Sequence, residues 1–206
     1  MYIGLRRTSD MQLASPLATL VGGQQAAALR VLARTDVGMT GRQVARVAQT
    51  GNTAIKRALD KLEHAGLVTV NRGLHSSSYR VNEDHVLWPA LRLALDASRV
   101  LDERIAHFVN GSGVPVTSVA VFGSVARGEA TDDSDVDLVV VYPDELVVDL
   151  SVALGSAVER WTGNETQVFD VSREDLRKMV ADGDPLVESW RKEARTIVGE
   201  DLRGLL

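Results

Sequence analysis

Apolar positions recur at helical spacing through the first part of the chain and gather into short β-branched blocks in the second. Residues 24–34 are rich in strong helix formers, so a helix is expected there. Thr40-Gly-Arg-Gln43 has the form of a capping box and predicts a helix start at Thr40, with Val44, Val47 and Ala48 on one face. Thr50-Gly-Asn-Thr53 interrupts. Ile55, Ala58, Leu59 and Leu62 then repeat with helical period, and Gly66 suits the helix end. Residues 67–70 and 78–81 read as two short strands, with Asn71-Arg72-Gly73 and the polar residues after them as their connection.

From 82 to 111 the pattern becomes mostly helical with an imperfect period, through Leu91, Leu93, Leu95, Val100, Leu101, Ile105 and Phe108. Pro89 suits a first turn and Asn110-Gly-Ser-Gly113 an end, so one long bridging helix over 87–110 is expected. Beyond it the alternation is that of an α/β domain. Strands are expected at 116–122, 136–142 and 167–172, with a helix over 145–161 that ends near Gly163. Asp184-Pro185 can cap a final helix whose buried face holds Leu186, Trp190 and Ile197. Trp161 and Trp190 read as core or interface anchors, and Tyr142 as a core or strand-end residue.

Charge divides unevenly along this pattern. Residues 1–90 carry 11 basic and 6 acidic side chains, and the remainder carries 12 and 22. The basic first part could meet nucleic acid, whereas the second concentrates carboxylates. The chain has no cysteine, which excludes disulfides and thiolate metal sites. His64, His75, His85 and His107 show no ligand spacing and read as surface or helix-end residues. The start lacks a secretory apolar core, and no apolar run reaches membrane-spanning length. A cytoplasmic protein without membrane partners is expected.

The sharpest chemical signal is Gly123-Ser124, ten residues, then Asp135-Val-Asp137, between the blocks Val119–Phe122 and Leu138–Val141. Carboxylates at i and i+2 of a strand share a face, where they repel each other and favour a cation between them. Oxygen-only donors select a hard ion such as Mg²⁺, which commonly shares its shell with substrate phosphates. A Gly-Ser turn lets backbone N–H groups approach those phosphates. Asp-x-Asp alone is common in solvated turns; the turn, spacing and flanking strands together make this string specific.

The string resembles the nucleotidyltransferase superfamily that includes DNA polymerase beta, and looks closest to its minimal members. Gly123, Ser124, Asp135 and Asp137 match that pattern position by position, and Arg127-Gly128 and Ser134 match the usual filling. The resemblance covers about residues 87–200. It implies that Gly123 and Ser124 hold the triphosphate of an NTP, ATP by preference; Arg127 reads equally as a nucleotide-binding residue that helps with phosphate charge or as a structural or solvent-facing one. It implies that Asp135 and Asp137 bind two Mg²⁺ ions, with Mn²⁺ as a substitute. A third carboxylate on the next strand would complete the catalytic and metal-binding set. Asp170 is the obvious acidic residue there, although the family position falls one residue earlier, at Phe169. Either a bulge or shorter connection brings Asp170 in, or the third ligand is missing; Glu165 is a weaker substitute. The expected reaction is attack of an acceptor hydroxyl on the α-phosphorus, with loss of pyrophosphate.

Three helices followed by a hairpin resemble the winged helix-turn-helix of bacterial transcription regulators. Leu62-Glu-His-Ala-Gly66-Leu67-Val68 looks like the passage from recognition helix to wing. The resemblance implies double-stranded DNA as a partner, met by Asn52, Thr53, Lys56, Arg57 and Lys61 on the helix. Arg72, His75 and Arg80 would lie on or near the wing. The expected fold class is therefore α/β (α+β). It comprises a winged helix-turn-helix DNA-binding domain over 1–86 and a nucleotidyltransferase domain over 87–206 that includes the bridging helix. The competing expectation is a DNA-binding regulator or antitoxin-like protein whose transferase domain senses nucleotide without turnover. Minimal nucleotidyltransferases are linked to toxin–antitoxin pairs, so the resemblance also brings in a toxin-like protein partner, and small regulators commonly form homodimers.

Overall fold

A computed structural model describes residues 11–74, 76–131, 134–143 and 148–206. His75 and the expected start of the 145–161 helix lie outside the described residues. The chain divides into two compact units, Ser15–Ala97 and a second made of the N-terminal segment together with Ser98–Leu206. This differs from the expected boundary at 86/87 in two ways. The division falls at 97/98, and residues 11–14 belong with the later part of the chain.

The first unit contains α1 (Ala18–Val21), α2 (Gly23–Leu32), β1 (Met39–Thr40), α3 (Gly41–Val47) and α4 (Asn52–His64). It continues with β2 (Val68–Arg72), β3 (Ser77–Val81) and α5 (Trp88–Leu95). The capping box at Thr40 forms in both directions: its hydroxyl accepts from the Gln43 N–H, and Gln43 Oε1 accepts from the Thr40 N–H at 2.7 Å. Ile55, Ala58, Leu59 and Leu62 are the buried stripe of α4, as their spacing predicts. Leu29, Leu32, Val44, Ile55 and Leu59 meet in one core, closed by Val68 and Tyr79 of the hairpin. The strands pair antiparallel in the order β1-β3-β2. Asn71 and Arg72 are part of β2, opposite Ser78 and Ser77, so the hairpin runs further than expected before Gly73 turns it. The helices α2, α3 and α4 followed by this hairpin keep the order that the sequence predicts.

The single bridging helix does not form. α5 stops at Asp96, which leaves helical geometry (φ −93°, ψ 8°), and α6 (Ala97–Gly111) starts afresh. The break explains the imperfect period. Trp88 and Leu91 of α5 pack into the first unit, whereas Leu101, Ile105 and Val109 of α6 pack into the second.

The second unit continues through β4 (Ser118–Phe122), α7 (Gly123–Arg127), β5 (Val136–Tyr142), α8 (Val148–Thr162) and β6 (Thr166–Ser172). It ends with α9 (Arg173–Asp182), α10 (Pro185–Glu193), β7 (Arg195–Gly199) and α11 (Leu202–Leu205). Its sheet has the order β6-β5-β4-β7. β5 and β6 are parallel, and the other pairs are antiparallel. Both faces are covered, which is why β5 reads as a near-continuous apolar run. Leu138, Val140 and Tyr142 point into one core layer with Leu13, Leu101 and Leu154. Val139 and Val141 point into the other with Phe122, Leu176 and Trp190. Leu13 is only 3% exposed, and its carbonyl accepts from Ser98 Oγ at 3.0 Å, which ties the N-terminal segment to this unit.

Ile197 corrects a further expectation. It lies on β7, not on the last long helix, because α10 ends at Glu193 and Ala194 is extended. The β-branched run Thr196-Ile-Val198 then adds an edge strand beside β4. Trp190 is a buried anchor as expected, and Trp161 is half-buried edge-on to Phe108, with ring centroids 6.1 Å apart.

Candidate active site

β4 and β5 bring the Gly-Ser turn against the aspartate pair. In the antiparallel register Phe122 faces Asp137, so the turn that follows Phe122 begins directly over that carboxylate. Gly123 has φ +68°, and a Cβ built on it would lie 2.5 Å from Asp137 Oδ2. Glycine is therefore required here both for conformation and for room. Ser124 and Arg127 follow on the short α7, which Gly128 ends in the left-handed region at φ +70°. The chain then returns to the site. The Thr131 N–H donates to Ser134 Oγ at 2.9 Å, and Ser134 immediately precedes Asp135.

Burial and the neighbouring charge of Asp135 together raise the Asp137 carboxyl above its ordinary range, while Arg127 offsets part of this. An ionised Asp137 is thus costly in the protein alone, and a cation is the partner that removes the cost. Asp135 Oδ2 accepts a hydrogen bond from Gln167 Nε2 at 3.0 Å. Gln167 pairs with Asp137 across the parallel β5–β6 ladder, so it reaches the same end of the sheet.

Asp170 does not join them. Alternate residues of β6 face opposite sides, and the register sets Phe169 beside Val139 and Asp170 beside Val140. Phe169 therefore lies on the Asp137 side, packed on Phe122 with ring centroids 5.6 Å apart. Asp170 points to the opposite face, where it accepts a short hydrogen bond from Ser151 of α8. Ser151 in turn shares one of 2.8 Å with the buried Tyr142 hydroxyl. No bulge interrupts the seven-residue ladder, so the shift that could have brought Asp170 into the site is absent. Glu165 is exposed just ahead of β6, and its backbone carbonyl accepts from the Val136 N–H.

Among the described residues no group of three or more His, Asp or Glu is arranged to hold a metal ion. Asp135 and Asp137 supply hard anionic oxygens at one place. They suit a divalent cation that completes its shell with phosphate and water, as Mg²⁺ commonly does, rather than a cage made by protein alone.

Sequence reasoning missed four other residues around this pair, Gln167 among them. Glu193 of α10 and Glu129 both bind the Arg127 guanidinium, at 2.5 and 2.7 Å. Arg127 is thus held next to the turn by carboxylates that an anionic ligand would have to displace. Asn164 is fully buried, and its Nδ2 donates to the Ser134 carbonyl at 3.1 Å and the Met11 carbonyl at 3.2 Å. It fixes the loop that leads into Asp135. Gln167 could have been found from strand parity, since it and Phe169 alternate with Asp170; Glu193 and Asn164 carry no local signal.

In the first unit, Asn52, Thr53, Lys56, Arg57 and Lys61 all lie on the exposed face of α4, opposite its buried stripe. Lys56 makes an exposed ion pair with Asp60 at 3.5 Å. Arg72 of β2 pairs with Glu63 of α4 at 2.5 Å, and Arg80 is exposed on β3. A half-open groove of about 570 Å³ beside this face is lined by Arg42 of α3, Asn52 and Lys56 of α4, and Ser76 and Ser77 of the hairpin.

Residues 103–187 match the family of nucleotidyltransferase domains. No curated protein matches the chain. Among solved structures, one described as a minimal nucleotidyltransferase is 30% identical, over 48% of this chain and 92% of that one, with a TM-score of 0.37. A toxin–antitoxin crystal structure with AMP-PNP is 18% identical over 48% and 73%, with a TM-score of 0.38. A MarR-family transcription regulator is 23% identical over 48% and 64%, with a TM-score of 0.36.

Proposed function

Residues 103–187 are a nucleotidyltransferase domain, which makes the chain a transferase by family, and from that premise we propose that it moves a nucleoside monophosphate from an NTP, ATP by preference, to a hydroxyl acceptor. The observation that carries this reading is the packing of the Gly123 turn directly on the Asp137 carboxylate. The triphosphate lies along Gly123 and Ser124, whose turn has no side chain at its first position to keep phosphate away. Asp135 and Asp137 would hold Mg²⁺, or Mn²⁺ in its place. When bound there it would supply charge neutralisation for the phosphates. Gln167 and Asn164 keep Asp135 and its loop in place. Arg127 exchanges its Glu193 and Glu129 partners for phosphate oxygens. The acceptor hydroxyl oxygen attacks the α-phosphorus, the bond to the oxygen bridging the α- and β-phosphates breaks, and pyrophosphate leaves. The domain contributes chiefly alignment and charge neutralisation.

The winged helix binds double-stranded DNA through Asn52, Thr53, Lys56, Arg57 and Lys61, as a homodimer. Arg72 on the wing adds a phosphate contact. Support comes from the cationic, exposed face of α4 and the basic balance of residues 1–90. No helix among the described residues is long and apolar enough to cross a membrane.

One observation favours a second reading. Phe169 occupies the strand position where the family resemblance places a carboxylate, and Asp170 faces away. In this reading the domain is a nucleotide sensor in a DNA-bound regulator, or an antitoxin-like protein that meets a toxin-like partner.

Calorimetry with ATP tests the site that both readings share. Binding should be at least about tenfold tighter with Mg²⁺ than with EDTA, a difference of about 1.4 kcal/mol. The preference should vanish in Asp135→Asn/Asp137→Asn. Equal affinity under both conditions in the unmutated protein would refute the site.

A further inference from the structure

Resting on the reading of Asp135 and Asp137 as the nucleotide site, we propose that this chain binds its nucleotide with one divalent cation rather than two. The inference comes from how β6 meets β5. The ladder runs without a slip from Val136–Thr166 to Tyr142–Ser172, so the side of every β6 residue is set. On the side of Asp137, β6 presents Gln167 and then Phe169. Neither supplies an anionic oxygen. Phe169 is committed to the aromatic contact with Phe122, the residue that leads into the Gly123 turn. Gln167 uses its amide N–H on Asp135 Oδ2, so it presents a hydrogen-bond donor to the carboxylate. The acidic residue available on this strand, Asp170, is spent on the far face in the chain Asp170–Ser151–Tyr142.

Charge then sets the count. Two carboxylates and the phosphates of a bound nucleotide can satisfy one dication that bridges them. A second dication beside it would be repelled by the first and would have only shared oxygens to hold it. Divalent ions lying about 3.5–4 Å apart are stabilised by further anionic ligands between and around them. Among the described residues no third acidic group is placed to serve. The neutral Gln167 instead lowers the charge that Asp135 can offer to a second ion. Nucleotide binding should therefore be metal-dependent but saturate at a single cation.

The test counts cations. The full chain is dialysed to equilibrium against Mn²⁺ and α,β-methylene ATP, both saturating, and bound Mn²⁺ per chain is measured. One is expected for the unmutated protein. Phe169→Asp, with its fold checked by circular dichroism, should raise the count to two. Because that change also removes the contact with Phe122, Gln167→Glu serves as a second variant. It places a carboxylate within reach of Asp135 at the strand edge and should likewise raise the count to two. A count of two in the unmutated protein, or of one in both folded variants, overturns the inference and leaves the nucleotide site standing. No bound Mn²⁺ and no bound nucleotide overturns the site itself.

Discussion

Replacing Gly123 by alanine probes the contact on which the functional reading rests. At φ +68° an L-residue in place of glycine costs about 1–2 kcal/mol. The new Cβ would lie 2.5 Å from Asp137 Oδ2, so the carboxylate must back away by roughly 1 Å to reach normal contact. Turning that side chain off its preferred rotamer adds about 0.5–1.5 kcal/mol. The transferase unit should therefore lose about 1.5–3.5 kcal/mol in all. Gly183→Ala isolates the backbone contribution. Gly183 has φ +67°, and a Cβ there would meet nothing within 4 Å, so about 1–2 kcal/mol is expected. Urea unfolding followed by tryptophan fluorescence in a Trp88→Phe background, which leaves Trp161 and the buried Trp190 of this unit as reporters, measures both losses. Calorimetry then separates them by function. Gly123→Ala should weaken Mg²⁺-ATP binding by at least about tenfold, because the displaced carboxylate no longer meets cation and phosphate together. Gly183→Ala should leave affinity unchanged. Equal stability losses in the two variants, with unchanged affinity in Gly123→Ala, would refute the argument.

Asp137→Asn should raise the thermal midpoint of the nucleotide-free protein at neutral pH. The folded-state value of Asp137 is raised by burial and by Asp135, so its contribution to stability is fully present below the unfolded carboxylate range and is lost as pH rises through the folded value. Melts across that interval should show this loss in the unmutated protein and lack it in the variant. Asp170→Ala should leave Mg²⁺-ATP affinity within about twofold, yet cost about 1–3 kcal/mol in urea unfolding because Ser151 loses its acceptor. Replacing Lys56 and Arg57 by alanine should reduce the log–log salt slope of DNA binding by roughly 1.8 in a gel-shift series. The fold should survive, since Ile55, Leu59 and Leu62 carry the packing. No shift of any DNA at low salt by the unmutated protein would instead assign the winged helix to protein contacts.

What sequence could convey depended on the range of the interactions involved. The stripe of α4 and the reciprocal cap of Thr40 and Gln43 are decided within a few residues, and both stand as their spacing implied. Asp137 was legible because i, i+2 spacing at a strand start and a preceding Gly-Ser turn constrain each other locally. Asp170 was not, because its face depends on the register with a strand thirty residues away. The family position at Phe169 set Asp170 one residue out of register, but pairing was needed to decide its face. Asp96 broke the bridging helix where Leu91 and Leu101 serve different cores. The burial of Leu13 beside α6, and with it the discontinuous second unit, arises from contacts across more than eighty residues.

Nucleotidyl transfer itself is tested most directly by following the label. The full chain is incubated with Mg²⁺, a cell lysate and ATP labelled at either the α- or the γ-phosphate, and the labelling given by the lysate without the chain is subtracted. Transfer of a nucleoside monophosphate predicts that α-label becomes attached to an acceptor, γ-label appears only in pyrophosphate, and Asp135→Asn/Asp137→Asn abolishes both. Attachment of the γ-label, or no attachment of either label by protein that binds Mg²⁺-ATP, would contradict it.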